Sequence, residues 1–155
     1  MAFAAAYDLL TMRIPNWISI ALLASFVGVS LLAGLSLPQI GISVAVGVAV
    51  LVVSFLLFIP GWIGGGDAKL AAVIALWMGL DKVLEFLVYS ALLGAVLTFA
   101  ILLFRWKVNN TWLPSVNWIL RLHDNKKGVP YGIALAAGAM IVYTQTAIYT
   151  GLALI

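Results

Sequence analysis

The chain contains no cysteine. That absence excludes a disulfide framework, a thiolate zinc site, a thiol nucleophile and cysteine lipidation. Charge is scarce as well: only 8 % of the 155 residues are Asp, Glu, Lys or Arg, against roughly 25 % in an average soluble domain. Histidine occurs once, as His123, in a basic stretch with no second ligand at metal-binding spacing, so it reads as a solvated loop residue. No low-complexity linker and no internal repeat divides the sequence, which predicts one domain over 1–155. There is no basic segment followed by a short apolar run and a small-residue cleavage site, so no removable signal peptide is expected. The net charge of +3 is not arranged as a basic stripe interleaved with aromatics, and nucleic acid is not an expected partner.

What remains is mostly hydrocarbon. Hydrophobic residues make up 65 % of the chain and the mean hydropathy is +1.20, the profile of an integral membrane protein. About 20 apolar residues cross a hydrocarbon layer of roughly 30 Å, and the segments 18–37, 39–59, 83–104 and 131–155 each meet that length. Residues 67–80 (DAKLAAVIALWMGL) predict a shorter helix with Asp67 as its N-cap and Gly79 near its end. The opening MAFAAAYDLL reads as the last turns of a helix that stops near Pro15. The expected fold is therefore all-α: a polytopic membrane helix bundle of about six transmembrane helices, the first truncated, with a glycine-rich loop before a short fourth helix.

Orientation follows from lysine and arginine in short loops. Arg105, Lys107, Arg121, Lys126 and Lys127 place the loop 105–130 on the cytoplasmic side. Counting back, the turn at Asp81 and Lys82 is external, the glycine loop before Lys69 cytoplasmic, the turn at Pro38 external, and the segment bearing Arg13 cytoplasmic. Trp106, Trp112, Val116, Trp118, Ile119, Leu120 and Arg121 form an amphipathic stretch expected to lie at that interface, in contact with membrane lipids. The sequon at Asn109 to Thr111 would go unused there. Thr144, Gln145 and Thr146 in the last span are expected to serve helix packing.

Asp8 and Asp67, far apart in sequence, then fall at one membrane face, each at a helix end. Acids at a bilayer edge cost several kcal/mol unless paired or hydrated, so they mark functional candidates. Each alone also has a plain structural reading, as a helix cap or a polar helix end. Together they suggest more: two carboxylates held close cannot both ionise, so one serves as base toward a water while the other protonates the substrate. That chemistry needs neither metal nor covalent intermediate, and no cofactor is expected. In GWIGGGDAKL (residues 61–70), Gly64, Gly65 and Gly66 would supply positive φ and close backbone approach for an extended substrate beside Asp67. Lys69 lies about 200° around a helix from Asp67, so it should reach headgroups or an acidic substrate group rather than neutralise the aspartate.

These residues resemble a known family. DLLTMRIPN (residues 8–16) is similar to the first-aspartate segment of the type IV prepilin peptidases, in which Asp8 is followed by Ile14, Pro15 and Asn16. GGGDAKL (residues 64–70) matches their G-x-G-D-x-K-L signature, and VPYGIALAAG (residues 129–138) is similar to the opening of their last helix through Pro130, Tyr131 and Gly132. The three pieces occur in the family's order across nearly the whole chain. The resemblance implies a six-helix GxGD aspartic endopeptidase with Asp8 and Asp67 as catalytic residues. It would cut the short basic leader from prepilins or pseudopilins at the cytoplasmic face of the inner membrane. The short form resembles the branch serving Flp/Tad-type pili, and no methyltransferase domain is expected. A competence pseudopilin, an archaeal preflagellin or a signal-peptide remnant would suit the same chemistry. From other classes, a non-catalytic scaffold or a small cation-coupled transporter stays open, and the oligomeric state is not readable.

Overall fold

A computed structural model describes residues 1–109, 114, 116–125 and 127–153, and among them every regular element is a helix. In chain order these are α1 (Ala2–Thr11), α2 (Asn16–Leu32), α3 (Leu37–Phe58), α4 (Gly65–Lys107), α5 (Asn117–His123), α6 (Gly132–Tyr143) and α7 (Ala147–Leu152). The fold is all-α, as the long apolar runs predict.

Helix ends fall where local chemistry sets them, and several differ from the sequence reading. α1 stops at Thr11, four residues short of Pro15, because Met12 turns into the left-handed region (φ 55°) and its amide closes on the Asp8 carbonyl. Pro15 instead precedes the first residue of α2, in extended conformation. α2 ends at Leu32, and the turn to α3 is made at 33–36 with Gly34 at φ 73°. Pro38 is therefore not the turn but part of the first turn of α3, where its missing N–H costs nothing. Ser36 and Gln39 close that end as a capping box.

α4 has 43 residues. A straight helix of that length would run about 64 Å, twice the hydrocarbon thickness. Gly79 (φ 66°, ψ −178°) interrupts it, and both Asp67 before the break and Thr98 after it line one cavity, so the two parts fold back on each other. The reversal sits at Gly79, not at Asp81 and Lys82. Lys82 instead donates to Glu85 at 2.8 Å and to Gln145 at 2.9 Å.

The expected last span, 131–155, is also broken. α6 ends at Tyr143, and the Thr146 hydroxyl accepts from the Tyr149 amide to start α7. Such a side-chain bond offers the backbone an alternative to an unbroken helix. Thr146 thus serves a helix break, while Gln145 accepts from Lys82 of α4.

Residues 65–78 form the centre of the molecule. From Leu70 to Met78 they are apolar on every side, and Leu70, Ile74 and Ala75 are fully buried, as a helix without a polar face must be. Trp77 packs edge-on to Phe26 at 5.7 Å and donates to the Leu22 carbonyl at 3.0 Å. α3 approaches closely because Gly47 leaves room for Leu76.

The outer helices face the other way. Among the described residues two helices, α3 and α4, are long and apolar enough to cross a membrane, yet only 17 % and 22 % of their most apolar stretches are buried in the protein. Exposed Val48, Val52 and Phe55 on α3 and Val88, Leu92, Val96 and Phe99 on α4 present continuous hydrocarbon, far more than a soluble surface carries.

Among the described residues of 105–130, Leu122, Lys127 and Gly128 come back to the end of α4. Arg105 donates to the Leu122, Lys127 and Gly128 carbonyls. His123 is half-buried rather than solvated: its ring stands edge-on to Phe104, with Nε2 2.8 Å from the Val108 carbonyl oxygen. In the amphipathic stretch Trp106 is strongly exposed and α5 carries Trp118, whereas Trp112 and most of the sequon lie outside the described residues.

Candidate active site

Asp8 stands in the last turn of α1 and is almost fully buried, with 4 % of its surface exposed. Its carboxylate Oδ2 accepts the Gly132 N–H at 2.8 Å. Gly132 is the first residue of α6, so the bond satisfies one of the amides that a helix start leaves without an intrahelical partner. It also places a negative group at the positive end of the helix. A Cβ on Gly132 would stand 2.8 Å from Asp8 Oδ2 and 3.0 Å from Ile14 Cδ1. Only glycine allows this approach.

Asp67 is half-buried in the first turn of α4. It is not the N-cap. Gly64 is, in extended conformation (φ −74°, ψ 143°), and the Asp67 carboxylate turns back to the Gly64 amide. None of the three glycines adopts the positive φ expected of them, because α4 already begins at Gly65; the positive φ in this connection belongs to Gly61. Their role is close approach. A Cβ on Gly66 would meet Ile14 Cβ at 3.1 Å, and one on Gly65 would meet the Phe58 ring at 3.3 Å.

The two aspartates line one cavity of about 1610 Å³ and are near enough for their charges to interact. The cavity exceeds the roughly 300 to 1,000 Å³ of small-molecule pockets and has the scale of a peptide segment. The structure brings almost every sequence-selected residue to it. Ile14, Pro15, Asn16, Gly64, Gly65, Gly66, Pro130 and Tyr131 all line the wall, and Gly132 holds Asp8 from behind. Lys69 is exposed and does not line the cavity; its Nζ donates to Asn16 Oδ1 at 2.9 Å, joining the two aspartate segments on the outside.

Other contributors escaped the sequence reading. Ser90 of α4 lines the cavity, and its carbonyl accepts the Tyr131 hydroxyl at 3.1 Å. Arg13, Arg121 and Lys127 stand around the same space. Arg121 reaches the Leu10 carbonyl, and its place in an amphipathic helix was the one signal available. Ser90 sits in an apolar run that reads as an ordinary span, with no signal at all. Among the described residues there is no group of three or more His, Cys, Asp or Glu side chains.

Two carboxylates that face a common space can share one proton and so supply acid and base together. A family model described as the type IV leader peptidase family matches residues 1–99, a stretch that includes both aspartates and ends before the turn at Pro130. No curated protein and no solved structure matches the chain.

Proposed function

Because the chain belongs to the type IV leader peptidase family, we propose that it is an aspartic endopeptidase in which Asp8 and Asp67 are the catalytic pair. Its substrates are type IV prepilins or pseudopilins of the Flp-like kind, whose short basic leader it removes at the cytoplasmic face of the inner membrane. The observation that carries this reading is the meeting of two acids from distant parts of the chain on one cavity wall.

In the mechanism, a water held between the carboxylates loses a proton to the ionised one while its oxygen attacks the scissile carbonyl carbon. The other carboxyl donates its proton to the carbonyl oxygen, giving a tetrahedral diol. Collapse of the diol breaks the C–N bond, and the amine of the mature pilin leaves with the proton taken from the water. Of the two diol protons, one returns to the ionised carboxyl, leaving the pair with a single proton ready for another cycle, and the other passes to the released amine, so that the leader departs as a carboxylate.

The chain acts as one unit, 1–155, of about six spans. Membrane lipids surround the apolar faces of α3 and α4, and the cavity opens toward the cytoplasm. A peptidase family with two acids at helix ends favours hydrolysis over the scaffold and cation-coupled readings, since ion coupling would put acids near the bilayer middle.

Co-expression with a Flp-like prepilin tests the proposal by a gel shift of the substrate. Asp8→Asn and Asp67→Asn should each abolish the shift while the protein remains inserted and folded. Full cleavage by both variants would overturn the assignment. In the wild type the rate should trace a bell against pH, one carboxyl having to be ionised and its partner not, and chelators should leave it unchanged.

A further inference from the structure

Tyr131 stands beside the site yet has no part in the chemistry above. Its ring lies over Gly94, in the middle of the second part of α4, so closely that a Cβ there would collide with the ring and the hydroxyl. A glycine inside a helix costs about 1 kcal/mol relative to alanine, and here the missing side chain forms a socket. The Tyr131 hydroxyl is pinned to the Ser90 carbonyl one turn away. Two turns further along α6, Gly138 rests against Ser90, again with no room for a Cβ. These contacts fix α6 against α4 at two points. The residue that follows Tyr131 is Gly132, whose amide holds Asp8.

We propose that Tyr131 is a positioning residue for Asp8: seated in the Gly94 socket and tied to Ser90, it sets the start of α6 so that the Gly132 amide aims the Asp8 carboxylate at the cavity. The proposal rests on the peptidase reading for its effect on cleavage, but the positioning itself is measurable without any cleavage.

The full-length protein, labelled with 15N-glycine in detergent micelles, is the material for the test. The Gly132 amide signal, assigned by its response to Asp8→Asn, is compared in the wild type, Tyr131→Phe and Gly94→Ala. The first variant removes only the hydroxyl and the second fills the socket, so one of them stays informative even if the other unfolds. In each folded variant the Gly132 signal should move toward its position in Asp8→Asn and exchange faster with solvent. With a prepilin substrate, kcat should fall by between about tenfold and a hundredfold with KM nearly unchanged, as for a catalytic group displaced by less than an ångström or so. The double variant should lose little more than the worse single one, since both act through one contact. If the Gly132 signal stays in place in both folded variants, or kcat stays at the wild-type value while the signal moves, the proposal is overturned. A shifted signal in a protein that never cuts any prepilin would uphold the positioning and count against the peptidase reading instead.

Discussion

At the scale of single residues, the site is defined by where side chains are missing. Gly132 lets a main-chain amide touch Asp8, and Gly66 lets Ile14 lie against the helix that carries Asp67. Gly132→Ala should therefore push the Asp8 carboxylate and Ile14 aside together. The expected result is a loss of leader cleavage of at least about tenfold, with thermal stability lowered by no more than about 1 to 3 kcal/mol, the usual cost of overpacking; unchanged cleavage in a folded variant would count against the proposed role of this bond. Asp8, Asp67 and the glycines beside Asp67 could be picked out of the sequence because ionisable and flexible residues stand out against hydrocarbon. What they would do was less legible. The three glycines suggest a strained loop, yet two of them are helical and serve contact, because a sequence shows which backbone is permissive and not which neighbour approaches it. Ser90 and Gly94 stayed hidden for the same reason: their importance comes from Tyr131, a residue far away in the chain.

At the scale of elements, hydropathy located the apolar runs and missed the breaks inside them. The short helix before Gly79 and the long one after it were both foreseen, but the reversal was assigned to the charged pair that follows. Charge signals exposure, whereas reversal needs a backbone conformation, and the one at Gly79 is open essentially to glycine alone. Gly79→Ala should consequently lower stability by about 1 to 3 kcal/mol, read by thermal unfolding, even though Ser43 Oγ, the nearest atom to an added Cβ, is a comfortable 3.5 Å away. An unaltered melting temperature would show that the reversal tolerates an ordinary residue. The break between α6 and α7 was illegible because it depends on a single threonine hydroxyl turning to its own backbone, an effect that averaging over a window of apolar residues removes.

At the scale of the whole molecule, the two ends of the helix bundle differ in chemistry. One end carries Asp8, Asp67, Arg13, Arg121 and Lys127 around the cavity, and the other carries the Lys82, Glu85 and Gln145 cluster. The proposed topology turns the first end toward the cytoplasm. Since the sequence has no cysteine, single cysteines introduced at Arg13, Lys127 and Lys82 give an unambiguous test with a membrane-impermeant thiol reagent on intact cells. Only the Lys82→Cys protein should be labelled from outside. Labelling of Arg13→Cys and Lys127→Cys from that side would invert the topology and separate the site from a cytoplasmic leader. The all-helical class was legible in the length of the apolar runs, because a backbone in hydrocarbon must satisfy its own hydrogen bonds and unbroken runs of about 20 residues do so as helices.

The hydrogen bond between the first helix and the start of the sixth also has a bearing on synthesis. Asp8 leaves the ribosome early and Gly132 late, so a nascent chain holds its first acid without the amide that orients it until most of the protein has been made. On the proposed function, the catalytic pair is therefore completed only when the start of α6 has docked against α1.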